Sequence, residues 1–241
     1  MYKNIIKAKE KIEKHILKTE CSLSKPISDL IGKNIFVKYE NKQLTGSFKL
    51  RGSLNKLLSL SINHKKNGVI TMSAGNHAQG VAYGSKLLGI KATIVMPNNT
   101  PFEKIRKNIE YGADVIIKGN SVDEAEKYVD RILLNKKFTK IHPFNDYEVI
   151  FGQGTLMIEM LEQCPKLDLL IIPVGGGGLI SGCAIAAKHL NPKIKIIGVE
   201  TKNYPSLYND IFNKKFKFQL NTVAEGVAVK KVGELNLPII R

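Results

Sequence analysis

The chain has 241 residues, of which 43% are hydrophobic and 24% charged, a composition typical of a globular protein. These proportions exclude a disordered, collagen-like or membrane-spanning chain, and the length is enough to bury a substantial core. The formal net charge of +16, from 37 basic and 21 acidic residues, first suggests an anionic partner such as nucleic acid, a membrane surface or a phosphate compound.

The kind of basic residue argues against nucleic acid. The cations are almost all lysines scattered along the chain, and the arginines are Arg51, Arg106, Arg131 and Arg241. Proteins that read bases and phosphates rely heavily on arginine for its bidentate donor geometry. We therefore expect no nucleic-acid partner and a diffuse positive surface that attracts small anions.

Cysteine usage and the amino terminus indicate the compartment. Cys21, Cys164 and Cys183 are widely spaced and form no CxxC pattern, which is typical of a reducing environment. Residues 1–18 carry no apolar run of signal-peptide length, and no segment approaches membrane-spanning length. The sequence predicts a cytoplasmic protein without a membrane partner.

Short apolar runs alternate with amphipathic helical patterns along the chain. Strands are predicted at residues 35–38, 68–71, 92–96, 115–117, 169–173 and 194–199. Helices are predicted at residues 48–60, 76–88, 100–111, 121–134, 147–162 and 179–190. Several strands are almost continuously apolar, as buried parallel strands are. The alternation predicts an α/β fold with open, largely parallel sheets and flanking helices.

The first chemical cluster places Lys49 at the start of a predicted helix. A lysine at a helix start is commonly a solvated surface residue, because the positive end of the helix disfavours a cation. The positive end of the helix, together with a partly apolar setting beside Leu44 and Phe48, would instead lower the pKa of Lys49. The neutral amine could then form a Schiff base.

The second cluster follows the strand at residues 68–71 and opens a helix. It contains Ser73, Ala74, Gly75, Asn76 and His77. Side-chain donors and exposed backbone N–H groups at a helix start suit the capture of a carboxylate. The alternative is that Ser73 only caps the helix and His77 is an ordinary helix residue.

The third cluster is a strand, a glycine loop and a helix. The loop is Gly175, Gly176, Gly177 and Gly178, followed by Leu179. Consecutive glycines allow successive N–H groups to surround a phosphate at the start of the helix. The spacing does not form a convincing GxGxxG dinucleotide motif, and no Walker lysine follows. The loop therefore predicts the phosphate of a smaller cofactor.

Together these clusters resemble one family, the fold-type II pyridoxal-phosphate enzymes, and within it the threonine and serine ammonia-lyases. The resemblance covers nearly the whole chain and rests on four motifs in the family's order and spacing: Thr45-Gly-Ser-Phe-Lys49-Leu-Arg-Gly52, Ser73-Ala-Gly-Asn-His-Ala-Gln-Gly80, Gly152-Gln-Gly-Thr155 and Gly175-Gly-Gly-Gly-Leu179.

The resemblance implies the cofactor pyridoxal 5'-phosphate and a role for each motif. Lys49 would carry the cofactor and act as the catalytic base, Phe48 would pack by the ring, and Asn76 would bind the ring hydroxyl. Gly175 to Leu179 would hold the phosphate. The substrate carboxylate would lie among Ser73, Ala74, Gly75, Asn76 and His77.

The resemblance also implies a two-lobed architecture like that of the tryptophan synthase β subunit. Residues 1–66 and 144–241 would form a large cofactor-binding lobe, and residues 67–143 a smaller inserted lobe. Relatives continue with a late Ser-Gly-Gly type segment that contacts the pyridine nitrogen, so the large lobe is expected to be incomplete. The exposed strand edges would favour a homo-oligomer or association with the missing segment.

The expected activity is deamination of L-threonine, and of L-serine, to a 2-oxo acid and ammonia. Serine racemases are the alternative, but they carry a serine where this chain has Ala74, so the second acid/base is lacking. A binding-only remnant of the enzyme is the other alternative. No metal site is expected, although Glu200 matches a cation ligand of some relatives as a weak candidate.

Overall fold

Helices and strands alternate along most of the chain in the computed structural model, which describes residues 1–219 and 222–241. The helices are α1 (Tyr2–Ile12), α2 (Lys25–Ile31), α3 (Lys49–Ser59), α4 (Ile62–Asn67), α5 (Asn76–Leu87), α6 (Phe102–Glu110), α7 (Val122–Asn135), α8 (Tyr147–Gln163), α9 (Gly178–Leu190), α10 (Ser206–Phe212) and α11 (Leu237–Ile240). The strands are β1 (Cys21–Leu23), β2 (Phe36–Lys38), β3 (Val69–Met72), β4 (Ala92–Met96), β5 (Asp114–Ile117), β6 (Thr139–Lys140), β7 (Leu169–Pro173) and β8 (Lys195–Val199).

A four-stranded parallel sheet has the order β5-β4-β3-β6. Alternate residues of its strands enter different cores, as the two-residue period of a strand requires. Val69 and Ile94 pack with α5 in one core, whereas Ile70 and Val95 pack with α7 in the other. Helices therefore cover both faces, which explains why β4 is buried along its whole length.

A second parallel pair, β7 and β8, lies beside the helices α1, α8 and α9. Leu170 and Ile172 of β7 point into a core shared with these helices. The opposite face is apolar and exposed: Ile171 is 63% exposed, and its cross-strand partner Ile197 is 48% exposed. A parallel pair with one uncovered apolar face is unusual, because parallel sheets are normally covered on both sides.

Close packing of α8 against α3 and α9 depends on glycines. A Cβ at Gly152 would lie 2.6 Å from the carbonyl oxygen of Arg51 on α3. A Cβ at Gly154 would lie 2.8 Å from the carbonyl oxygen of Gly182 on α9. Both distances are below those of real Cβ contacts, so only glycine lets the three helix backbones approach this closely. The Gly152-Gln-Gly-Thr155 motif is thus a packing motif that fixes the starts of α3 and α9 relative to each other.

The predicted α/β class and parallel sheet are confirmed, and the six predicted strands and six predicted helices are present within a few residues. The sequence did not predict β1, β6, α1, α2, α4, α10 or α11. β1 pairs with β2 in an antiparallel two-stranded sheet, with α2 in the connection between the strands. In the described ranges, no helix is both long and apolar enough to cross a membrane.

Candidate active site

Lys49 is the first residue of α3, as the sequence predicts. Its Nζ donates a hydrogen bond of 2.9 Å to the backbone oxygen of Pro143 and lies 5.4 Å from the centroid of the Phe48 ring. Burial lowers the pKa of Lys49 to about 8. An amine with this pKa is neutral in a substantial fraction just above neutral pH, so it can act as a nucleophile or base.

The second cluster begins where β3 ends and α5 starts. Ser73 Oγ accepts a hydrogen bond of 3.2 Å from the backbone N–H of Gly75, while Asn76 is exposed at the first position of α5. Gly75 precedes α5 without a side-chain cap. The first N–H groups of α5 therefore have no intrahelical acceptor, which leaves them available to a carboxylate.

His77 differs from the other residues of this cluster because its side chain is buried, with an exposed fraction of 3%. Its Nε2 lies 3.1 Å from the backbone oxygen of Ile141, so this nitrogen carries the proton and donates it. Burial and the nearby charge of Lys49 lower the pKa of His77 to about 3. The ring is neutral, and it ties α5 to the chain after β6 rather than offering a charge to a substrate.

The glycine loop lies between β7 and α9. Gly177 has φ of +94°, a left-handed conformation that favours glycine. A Cβ at Gly176 would collide with the ring of Phe144, and a Cβ at Gly178 would lie 3.0 Å from the Cβ of Phe144. Gly177 caps α9 without a side chain, so the first-turn N–H groups, including that of Leu179, are free for an anion.

Residues 141–145 join the three clusters, and the sequence analysis did not identify them. The backbone oxygen of Ile141 accepts from His77, that of Pro143 accepts from Lys49, and Phe144 packs against the glycine loop. His142 stabilises this turn, because its Nδ1 accepts from the N–H groups of Phe144 and Asn145 at 3.2 and 2.8 Å. Burial, together with Lys140 and Lys49, lowers the pKa of His142 to about 4.

Asn236 holds the other side of the glycine loop. It is fully buried, and its Nδ2 donates to the backbone oxygens of Phe144 and Gly176 at 3.0 and 3.1 Å. The N–H of Gly233 also donates to the oxygen of Gly176. The segment before α11 therefore fixes the loop from the carboxyl-terminal side. A lone asparagine so far along the chain gives no sequence signal of this role.

A buried ionic network lies behind Lys49. Arg51, two residues along α3, is fully buried and forms ion pairs of 2.8 Å with Glu40 and 2.7 Å with Glu159 on α8. Lys38 adds a second cation, 2.8 Å from Glu159. Burial alone would raise the pKa of Glu159, but hydrogen bonds from Arg51 and Lys38 lower it below its usual value. Two cations and two anions balance, as buried charges require.

Glu200, the weak candidate for a metal ligand, has a different role in the structure. Its carboxylate accepts hydrogen bonds from the N–H groups of Leu207 and Tyr208 at 2.7 and 2.8 Å, and from Ser206 Oγ at 3.1 Å. It therefore caps the start of α10. Across the described residues, no group of three or more His, Cys, Asp or Glu side chains could hold a metal ion.

The site thus combines an amine of lowered pKa with a glycine loop that presents backbone donors, both supported by residues 141–145. Such an arrangement suits an α/β protein that binds a phosphorylated aldehyde. The family model described as "Pyridoxal-phosphate dependent enzyme" matches residues 12–241. The chain belongs to this family, as the sequence predicted.

Two curated relatives and one solved structure show the extent of the similarity. The chain is 43% identical to an L-threonine ammonia-lyase of Thermotoga maritima over 240 residues, covering 99% of this chain and 60% of the relative. It is 42% identical to a catabolic L-threonine dehydratase of Staphylococcus aureus, covering 99% of this chain and 70% of the relative. The structure of maize serine racemase matches with a TM-score of 0.94 and 37% identity, covering 100% of this chain and 73% of that chain.

The chain spans between three fifths and seven tenths of the length of these curated relatives. The residues present nevertheless fit the cofactor of the family. A Cβ on any of the four loop glycines would lie 3.1 Å or less from atoms packed against the loop, so a side chain there would displace the loop backbone and its N–H donors. The loop donors suit a phosphate, and the amine of Lys49 suits the aldehyde.

Proposed function

We propose that this chain carries the site of a pyridoxal-phosphate dependent ammonia-lyase acting on L-threonine, and on L-serine. The observation that carries the proposal is the pairing of Lys49 with the glycine loop through residues 141–145. The relatives at 42–43% identity are named as a threonine ammonia-lyase and a threonine dehydratase, which supports threonine as the substrate.

Each predicted site residue has a part in this proposal. Gly175 to Leu179 bind the phosphate through backbone N–H groups, Phe48 packs beside the ring, and Asn76 binds the ring hydroxyl. When bound, pyridoxal phosphate supplies an electron sink that stabilises negative charge at the substrate Cα. Lys49 Nζ accepts the Cα proton, and its pKa of about 8 makes the neutral form available.

The substrate carboxylate is proposed to bind at the start of α5. Gly75 and the free first-turn N–H groups of α5 provide the donors, with Ser73 and Asn76 beside them. His77 contributes through its backbone and through its bond to Ile141, since its ring is neutral and buried. The positive end of the helix favours the negative carboxylate.

Ala74 favours elimination over racemisation. A racemase needs a proton donor on the face of Cα opposite Lys49, and a methyl group cannot supply a proton. The similarity to maize serine racemase makes racemisation the second candidate function. Chiral chromatography of L-serine incubated with the protein distinguishes the two, because D-serine forms only by racemisation.

We propose residues 67–143 as the inserted lobe and the flanking residues as the large lobe, with the cofactor between them. The exposed apolar face of β7 and β8, which includes Ile171 and Ile197, supports association of the large lobe with further polypeptide. A second copy of the chain and a segment equivalent to the remaining part of the relatives are the two candidates. Sedimentation velocity of the purified chain tells these candidates apart. A dimer or larger species would favour a second copy of the chain, and a monomer would favour the other segment.

The test of the proposed function is release of 2-oxobutanoate from L-threonine by the purified chain with added pyridoxal phosphate. Lys49→Ala is the control, with circular dichroism to show that it folds. Product that disappears in the control supports the proposal. A folded chain that binds the cofactor but forms no product would instead assign it the role of a cofactor-binding remnant.

A further inference from the structure

Two cysteines from distant parts of the chain lie side by side, and neither belongs to the three clusters described above. Cys21 begins β1, and Cys164 follows the end of α8. Their Sγ atoms are 3.5 Å apart although 143 positions separate them in sequence. Both side chains are buried, with exposed fractions of 9% and 7%. The pairing was not expected from the sequence, in which the cysteines form no recognisable motif.

Neighbouring hydrogen bonds hold the two backbones together. The residue before Cys164 is Gln163, whose Nε2 donates to the backbone oxygen of Thr19 at 3.1 Å. Lys38, the register partner of Cys21, donates to the same oxygen at 2.6 Å. The thiols therefore stay adjacent because of the surrounding fold, without a covalent bond of their own.

We propose that Cys21 and Cys164 form an oxidation site that hydrogen peroxide converts into an intramolecular disulfide. One sulfur attacks the peroxide, the O–O bond breaks, and a sulfenic acid and one water form. The second thiol then attacks the sulfenic sulfur, an S–S bond forms, and a second water leaves. The two thiols lose two electrons in total, and one hydrogen peroxide is reduced to two waters.

The geometry requires only a small adjustment for this reaction. A disulfide has an S–S distance of about 2.05 Å, so the sulfurs approach by roughly 1.5 Å, which rotation of the side chains can supply. Burial raises the pKa of Cys21 to about 12, which makes the first step slow. The adjacent thiol makes the second step fast, so the sulfenic acid does not accumulate.

The disulfide would stabilise the folded chain. It would close a loop across 143 positions of sequence and join the β1–β2 pair to the end of α8. A long cross-link restricts the unfolded chain strongly. We expect the oxidised protein to unfold at a temperature at least about 3 °C higher than the reduced protein.

Cys183 provides the control within the same molecule. It is 1% exposed on α9, and burial also raises its pKa to about 12. In the described ranges it makes no contact with another thiol. It therefore matches Cys21 in burial and acidity but lacks a neighbouring sulfur.

The experiment treats the full chain with hydrogen peroxide, alkylates the remaining thiols and maps the peptides by mass spectrometry. The expected result is a Cys21–Cys164 disulfide, one alkylated thiol at Cys183 and the upward Tm shift, reversed by dithiothreitol. The shift should be retained in Cys183→Ser and lost in both Cys21→Ser and Cys164→Ser. Stable sulfenic or sulfinic acid, a disulfide between molecules, or no reaction before unfolding would each overturn the proposal. The readouts need no cofactor, so they are independent of the proposed enzyme activity.

Discussion

Lys49 and Pro143 are 94 positions apart in sequence, yet Lys49 Nζ donates a hydrogen bond of 2.9 Å to the proline carbonyl. This contact fixes the amine beside the segment that also supports the glycine loop. A neutral amine and an ammonium group can both donate this bond, so the position of Nζ is independent of its protonation state.

The reactivity of Lys49 should follow its lowered pKa. Burial brings the pKa to about 8, below the value of 10.5 for an ordinary lysine, so the neutral fraction rises through pH 8. We expect acylation of Lys49, measured by peptide mass spectrometry against pH, to have a midpoint near 8. A midpoint above pH 10 would contradict the burial of this amine.

Replacing His77 should reduce the loss of folding stability that the protein suffers at acidic pH. In the unfolded chain this ring binds a proton near pH 6.5, but in the folded protein only near pH 3. Between these values the unfolded state binds more protons than the folded state. The contribution of His77 to the free energy of unfolding is therefore complete above pH 6.5 and is lost as the pH falls toward 3. At pH 5 this effect of His77 lowers the free energy of unfolding by about 2 kcal/mol.

Urea denaturation of His77→Gln at pH 7 and pH 5 checks this expectation. Glutamine can still donate to Ile141 but does not titrate, so the difference between the two pH values should shrink by about 2 kcal/mol. His64→Gln, at an exposed position of α4, is the matched control for the loss of an imidazole at the surface. An unchanged difference in His77→Gln would show that this ring does not carry the acid sensitivity.

Arg51 should be among the residues least tolerant of substitution. Arg51→Ala leaves Glu40 and Glu159 buried with one cation, Lys38, which pairs with Glu159, and we expect a loss of about 3–5 kcal/mol in the free energy of unfolding. Arg106→Ala removes an arginine that also has two acidic partners but is exposed on α6, and it should barely move the urea midpoint. If both substitutions lowered the free energy of unfolding equally, burial of Arg51 would not be the reason for its contribution to stability.

Gly152→Ala tests the contact between α3 and α8. Alanine favours a helix over glycine by about 1 kcal/mol, but its Cβ would lie 2.6 Å from the backbone of Arg51. Because backbone must move, we expect a net loss of about 1–3 kcal/mol and weaker cofactor binding. Gly226→Ala, where an added Cβ meets nothing within 4 Å, is the control. A stabilised Gly152→Ala protein, measured by thermal unfolding, would rule out this packing role.

The sequence predicted the parts of the fold and site that rest on local patterns. Buried parallel strands such as β4 and the amphipathic helix α7 follow from hydrophobic periodicity. Lys49 and the glycine loop were identifiable because a lysine at a helix start and four adjacent glycines are locally unfavourable without a function. Strands of two or three residues, such as β6 and β1, are too short to show any period.

Roles that depend on tertiary contacts were not predictable. Phe144 and Asn236 support the glycine loop from 30 or more positions away in sequence, and nothing in their local sequence indicates that contact. Glu200 is a further case, since nothing in its local sequence indicates that it caps α10. Both outcomes depend on which segments the fold brings together.

The most direct test of the account is the attachment site of the cofactor. The purified chain is incubated with pyridoxal phosphate, reduced with sodium borohydride to fix the lysine-bound cofactor, digested and analysed by mass spectrometry. We expect a single stoichiometric adduct on Lys49, and a lower yield of this adduct when Gly176→Ala forces a Cβ into the ring of Phe144. Adducts spread over surface lysines, with Lys49 unmodified, would contradict it.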